Sequence, residues 1–278
     1  AYSPFIPMDA DSSGMPIAVL RYRLTNPGPA PVDVSLAANL RNMIGYAGSG
    51  PMHDRRAQEG LGGNINRFVE GGGVRGLFFA SQRYAEDSPR FGTMALTTPW
   101  PDVWAQCAWL RGAWYDAMHD YWDHLSASGR LPERDYGPSE PGQSDVGTLG
   151  LTARLAPGET VTLPLCITWH FPTFENYWDD AACACDGPCK RPTWRNYYAT
   201  QWPDALAVAQ DYAAREAYLY GETRRFHGTL FASTLPRAVL DAVSSQASIL
   251  HAPTVLRLED GTFYGFEGCH CESGCCEG

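Results

Sequence analysis

The chain reads as mainly β: a large antiparallel β-sandwich with one helical insertion, giving way to helices toward its C-terminal end. Three observations predict this. Apolar runs of period two recur through residues 1–172, 28 Gly and 21 Pro punctuate them at turn spacing, and the apolar period becomes helical beyond about residue 203. The expected organisation is a sandwich domain over 1–172, a Pro-dotted, Cys-containing linker over 173–203 and a helical region over 204–278.

The elements follow in order. Leu20, Tyr22 and Leu24 alternate with Arg21 and Arg23, which puts one apolar face on a strand over 17–25. Asn26-Pro27-Gly28-Pro29 turns the chain, and Val32, Val34 and Leu36 alternate with Asp33 and Ser35 over 32–40, so the two strands are expected to form a hairpin with a long loop. Strands over 67–69 and 74–79 flank Glu70-Gly71-Gly72-Gly73, and a further β-type run covers 92–97. Two more strands, 148–155 and 161–169, are separated by the turn Ala156-Pro157-Gly158-Glu159.

Trp114, Met118, Tyr121 and Leu125 recur at helical steps, with Gly129 placed to end that helix, which should pack across one sheet. The Pro-, Gly- and acid-rich stretch 131–145 reads as a mobile surface loop. Farther on, Leu206, Ala209, Ala213, Ala217 and Tyr220 share a helical face, and Pro236 opens a second helix over 238–250. A hairpin over 254–258 and 262–266, turned at Glu259-Asp260-Gly261, delivers Glu267 beside Gly268.

At 278 residues the chain has room for about two domains at roughly 150 residues each. No apolar run approaches the roughly 18 residues of a membrane span, so a soluble globular chain is expected. With 21 basic against 31 acidic side chains there is no cationic excess to displace counterions from a phosphate backbone, which argues against a nucleic-acid partner. Nine Trp, 14 Tyr and 11 Phe fit either a large core or a surface that stacks on sugars, with burial the default for Trp. The chain opens at Ala1-Tyr2-Ser3-Pro4 without Met or a basic-then-apolar leader and stops within a Cys-rich turn. It is therefore expected to be a fragment, and the missing leader gives a cytoplasmic expectation.

Among candidate reactive groups, Glu267 sits between a short apolar strand and a Gly, a setting that can hold a carboxylate at a pocket rim. Considered alone it also fits an ordinary solvated strand end. Asp116, Asp120 and Asp123 stand at neighbouring helical positions and read as a solvated face, while Asp9 and Asp11 fit a polar turn or a domain-interface hydrogen bond. His170 and His270 are each read as a satisfied core or loop imidazole. Of nine Cys, Cys107 and Cys166 stand alone, and the rest form two clusters, Cys183, Cys185 and Cys189, and Cys269, Cys271, Cys275 and Cys276. Their Cys-x-Cys spacing is shorter than that of usual zinc ligand pairs, and a thiolate metal site, a disulfide and reduced thiols all stay open.

The run from Ser3-Pro4-Phe5-Ile6-Pro7-Met8-Asp9-Ala10-Asp11, the strand end Leu24-Thr25-Asn26-Pro27, the stretch from Ala156-Pro157-Gly158-Glu159 to Trp169-His170-Phe171-Pro172, and the segment from Gly261 to Cys269 together resemble glycoside hydrolase family 116. That family includes the animal non-lysosomal glucosylceramidase and its bacterial relatives. The resemblance implies an N-terminal β-sandwich followed by a catalytic (α/α)6 barrel, of which 204–278 would be the truncated start. It implies β-linked glucosides as substrates, including glycolipids and, for some microbial members, xylosides, with no organic cofactor. Glu267 matches the family's catalytic nucleophile, and the acid/base Asp would belong to the remainder of the catalytic domain in cis, so the 278-residue chain alone is expected to be inactive. The rival expectation is a non-catalytic β-sandwich that binds carbohydrate or braces a neighbouring domain.

Overall fold

A computed structural model describes residues 1–46, 58–176, 192–252 and 255–265. Two compact units are present, one made of Ala1–Ser3, Pro16–His170 and Asp204–Ala214, the other of Pro4–Met15, Phe171–Pro203 and Arg215–Gly278.

The first unit is mainly β and antiparallel. Strands β1 (Ile17–Thr25), β3 (Asn64–Gly71), β4 (Val74–Ser81), β5 (Thr93–Thr98) and β8 (Thr160–His170) form a five-stranded sheet in the order β1-β8-β5-β4-β3. Strands β2 (Val32–Arg41), β6 (Val103–Gln106) and β7 (Val146–Leu155) form a second sheet in the order β2-β7-β6. Leu77 and Phe79 of β4 lie against Gly147 of β7, and Leu149, Leu151, Leu163 and Leu165 are all but sealed from water, so the core sits between the two sheets. Gly150 is required for close approach, since a Cβ there would run into the Trp104 ring of β6.

The alternation over 17–25 and 32–40 does give strands, but they are not a hairpin. β1 pairs with β8, from Ile17 opposite Thr168 to Thr25 opposite Thr160, while β2 pairs with β7, from Val32 opposite Leu155 to Arg41 opposite Val146. Each connection is therefore an arch from one sheet to the other. Pro27, Pro29 and Pro31 lack the N–H groups that ladder closure would need, and Asn26 takes their place: its Nδ2 donates to the Ala30 and Leu155 carbonyls at 2.8 and 3.1 Å. The neighbouring arch is stitched to it through Asn26 N to Glu159 O at 2.9 Å. A true hairpin is β3–β4, where Gly72 and Gly73, at φ 59° and 82°, form the two-residue turn.

The strand β5 is buried along its whole length rather than on alternate residues, because both faces of its sheet are covered. Its second face carries the start of the helix α3 (Ala205–Phe231). Asp204 caps that helix through Oδ1 to Ala207 N at 2.8 Å, Thr93 Oγ1 accepts from Ala205 N at 2.9 Å, and Thr168 Oγ1 donates to Ala205 O at 2.7 Å. Phe78, Ala95 and Ala205 then close a small apolar cluster that Leu206 joins. The buried stripe of α3 runs Ala205, Val208, Ala209, Tyr212 and Leu219, whereas Ala217 of the expected face is exposed. Larger side chains one position away from the Ala series supply more apolar area, and they set the rotation of the helix.

The inserted helix α2 (Asp116–Ser128) ends at Gly129, whose φ of 70° and bond to Leu125 O form its C-terminal cap. It packs on the second sheet through Tyr121 and Leu125, beside Trp104, Trp109 and Leu131. Trp114 and Met118 of the expected apolar face are exposed instead. The stretch 131–145 is not the loose loop its composition suggests: Leu131 and Ser139 are buried, Ser139 exchanges backbone bonds with Gly63 and Asn64, and Arg111 clasps Asp145 at 2.7 Å. Beneath it lies a buried amide network in which Asn64 Nδ2 donates to Asn42 Oδ1 at 2.8 Å and Asn42 Nδ2 to Asn66 Oδ1 at 3.0 Å.

In the second unit, α1 (Ala10–Ser13), the ribbon of β9 (Thr173–Glu175) and β10 (Thr193–Arg195), the continuation of α3, α4 (Arg237–Gln246) and the hairpin β11 (Val255–Arg257) and β12 (Phe263–Gly265) are present. Pro236 stands one residue before the first turn of α4, at its non-helical N-cap position, and the hairpin turns at Gly261 with φ 87°. Among the described residues no helix is long and apolar enough to cross a membrane.

Candidate functional site

Glu267, His270 and the clustered cysteines 183, 185, 189, 269, 271, 275 and 276 lie outside the described residues. What is described is the ground on which the Glu267 hairpin is mounted, since β12 ends two residues before it in sequence.

That ground is built around Arg257 of β11. Its Nη1 donates to Asp11 Oδ1 at 2.7 Å, and its guanidinium carbon stands 3.4 Å from the centroid of the Tyr197 ring. The ion pair fixes the hairpin to the opening segment, and the ring fixes it to the turn before α3. On the other strand, Tyr264 stacks on Trp194 with centroids 5.2 Å apart. The strand ends are joined by Glu259 N to Arg195 O at 3.0 Å and an isolated bridge between Asn196 and Leu258.

The opening segment is held as firmly. Asp9 caps α1 by accepting from Ser12 N at 3.0 Å, and its other oxygen accepts from Tyr218 Oη at 3.3 Å. Burial pushes the Asp9 carboxyl up, but the Ser12 donors, Tyr218 and the nearby Arg215 charge outweigh it and hold it below the usual carboxylate range. Phe5 N donates to Thr223 Oγ1 at 3.1 Å, and the Phe5 ring lies 5.4 Å from Phe226 and 6.3 Å from His251. Burial lowers the His251 pKa and favours its neutral imidazole. Tyr198 Oη donates to Phe171 O at 2.6 Å and accepts from Phe171 N at 3.0 Å, and burial of this phenol pushes its pKa up to about 12.

Asp9 is thus engaged in a helix cap, and Asp11 in an ion pair with Arg257 of the hairpin. The helix carboxylates are elsewhere, in the first unit. There Asp120 makes a two-pronged pair with Arg134 at 2.9 and 3.1 Å, and those hydrogen bonds hold its carboxyl below the ordinary range. Asp116 accepts from Ala113 N at 3.2 Å, and Asp123 is exposed. His170 is buried at the end of β8, opposite Thr93. The structure therefore brings Asp11 together with Arg257, Tyr197 and the hairpin. Sequence reasoning missed Arg257, Tyr197, Trp194 and Tyr264. An Arg in a short strand signals a partner only in general terms, and a partner 246 positions away leaves no local trace. Among the described residues no group of three or more His, Cys, Asp or Glu is placed to hold a metal ion.

The sequence model described as beta-glucosidase 2, glycosyl-hydrolase family 116 N-term, matches residues 1–218. No curated protein matches the chain. The match spans both sheets, the opening segment with Asp9 and Asp11, and α3 as far as Tyr218, and the hairpin follows it. The chain belongs to glycosyl-hydrolase family 116, and residues 1–218 are its N-terminal domain match.

Proposed function

We propose that this chain is the N-terminal part of a retaining β-glucosidase that hydrolyses β-linked glucosides, with Glu267 as nucleophile and the residues after α3 as the opening of an (α/α)6 catalytic domain. The family match over 1–218 carries the glycoside-hydrolase reading. The tethered hairpin supports the choice of Glu267, because a nucleophile needs a fixed approach and Arg257, Tyr197, Trp194 and Tyr264 hold the two strands leading to it.

In this reading the Glu267 carboxylate attacks the anomeric carbon while an acid protonates the departing glycosidic oxygen. A glycosyl ester forms, and water activated by the same group, now a base, opens it. The second carboxyl group must stand roughly 5–5.5 Å from the first. The family's catalytic domain supplies it, so turnover belongs to the full-length parent and the aglycone to a glycolipid or a simpler β-glucoside.

The test is intact-mass spectrometry of the full-length parent after treatment with a 2-fluoro glucoside, followed by peptide mapping. A covalent sugar on the Glu267 peptide is expected, and Glu267→Gln should fold normally and lose turnover. A parent that hydrolyses the glucoside without labelling there has its nucleophile elsewhere. The 278-residue chain assayed alone on an aryl β-glucoside should give no turnover.

A further inference from the structure

Eight of the nine Trp lie among the described residues, and six of them are buried or half-buried. Three of those six commit the indole N–H inside the fold: Trp100 to Thr152 O, Trp104 to Ser35 Oγ and Trp109 to Thr148 Oγ1. The two exceptions are Trp122 on the inserted helix and Trp114 two residues before its first turn. Trp114 is 95% exposed and Trp122 57%, with Tyr115 and Met118 exposed between them. Neither indole N–H has a hydrogen-bond partner among the described residues, and neither Trp114 nor Tyr115 meets another ring there. Trp114 also holds φ 54°, a left-handed conformation that a bulky side chain rarely adopts, directly before the helix.

The mount beneath is rigid. Tyr121 is buried against Trp109, Asp120 is pinned by Arg134, and Gly129 stops the helix with Ser35 Oγ on its carbonyl at 2.6 Å. Tyr115, Met118 and Trp122 stand three and four residues apart, so they form one stripe about 10 Å long. That length exceeds one pyranose ring.

The charges beside the stripe select the occupant. Helix α2 has no Lys or Arg, and the exposed carboxylates Asp116 and Asp123 each follow an aromatic of the stripe, Tyr115 and Trp122, in sequence. Arg111 and Arg134 nearby are spent on Asp145 and Asp120. An acidic rim repels an anionic membrane, a nucleic acid and an equally acidic second copy. It suits a neutral polyol, whose hydroxyls donate to carboxylates while its apolar ring face lies on an indole.

We infer that Trp114, Tyr115 and Trp122, with Asp116 and Asp123 at the rim, form a binding platform for a neutral pyranose chain on the two-sheet unit. It would hold a polymer or a long glycan near the enzyme without reacting with it.

The test is affinity electrophoresis of the 278-residue protein through gels containing hydroxyethyl cellulose or laminarin. At least one polysaccharide should retard the wild-type protein, and Trp122→Ala and Trp114→Ala should each weaken the retardation about tenfold. Because both side chains are exposed, the melting temperature of each variant should stay unchanged, which separates lost binding from lost folding. Retardation by neither polysaccharide overturns the proposal, as does equal retardation of the double variant. Trp122-dependent sedimentation with phosphatidylcholine vesicles in place of sugar binding, or a Trp122-dependent dimer, would also overturn it by assigning the face to lipid or to self-association. The readout is binding, so it stands whether or not Glu267 proves to be the nucleophile.

Discussion

The two compact units differ in how completely they bury their apolar residues. In the two-sheet unit, Leu77, Phe79, Leu149, Leu151 and Leu163 have no contact with water, and even the second face of the larger sheet is covered by α3. In the second unit, Leu235, Val239, Val243, Ile249, Leu250 and Phe263 are exposed, and of the α4 side chains only Leu240 is buried. One region has closed its core; the other presents an amphipathic helix whose apolar face lacks a covering among the described residues. A closed core loses stability when a side chain is shortened, whereas an open face loses little and is prone to association.

The largest expected effect is therefore in the sheets. Leu151→Ala should cost about 3 kcal/mol in urea denaturation, from lost burial plus the cavity left behind. A cost below about 1 kcal/mol would show that the two-sheet core is looser than its burial implies.

Next comes the ion pair under the inserted helix. Asp120→Asn should cost about 2 kcal/mol, since both partners are largely shielded and the pair is two-pronged. The Arg134 bonds lower the Asp120 pKa in the fold, so this stabilisation is present above the ordinary carboxylate pKa of about 4 and lost as pH falls through the lowered folded value. A melting curve measured against pH should show that acid loss in the wild type and a smaller one in the variant.

In the second unit, Tyr198→Phe should cost about 1 kcal/mol at neutral pH by removing the two bonds to Phe171. Burial raises the phenol pKa, so its contribution is intact below the ordinary value of about 10 and disappears as pH rises through about 12. The wild type should lose more stability than the variant across that window. The smallest effect is expected on the open face. Val243, 56% exposed, should tolerate Ser with a change within about 0.5 kcal/mol, while light scattering of concentrated samples falls. A large loss of stability there would mean that the face is covered after all.

Much of the fold was legible. Period-two alternation located β1 and β2, the Ala156–Glu159 turn located β7 and β8, the glycine run located the β3–β4 turn, and Gly261 with Asp260 located the final hairpin. Partnership was not legible, since alternation marks a buried face without naming the strand beside it, and Pro27, Pro29 and Pro31 disguised an arch as a long hairpin loop. The stretch 131–145 looked loose by composition because backbone bonds from Ser139 to Gly63 and Asn64 leave no compositional mark. For the site, the sequence pointed to Glu267 and read Asp9 and Asp11 as a polar turn or an interface hydrogen bond, yet it could not pair Asp11 with Arg257 across 246 positions.

The sequence by itself determined the mainly β class, the helix ends at Gly129 and Pro236, the acidic balance and the family. Each of these follows from local sterics, periodicity, charge count or motif order, which neighbouring residues settle among themselves. Only the tertiary structure decided which strands share a sheet, which side of α3 is buried, and which of the tryptophans face water. Those depend on the sum of burial over residues far apart in the chain, where Tyr212 and Leu219 outweigh a run of alanines and a ring such as Trp104 finds its space above Gly150.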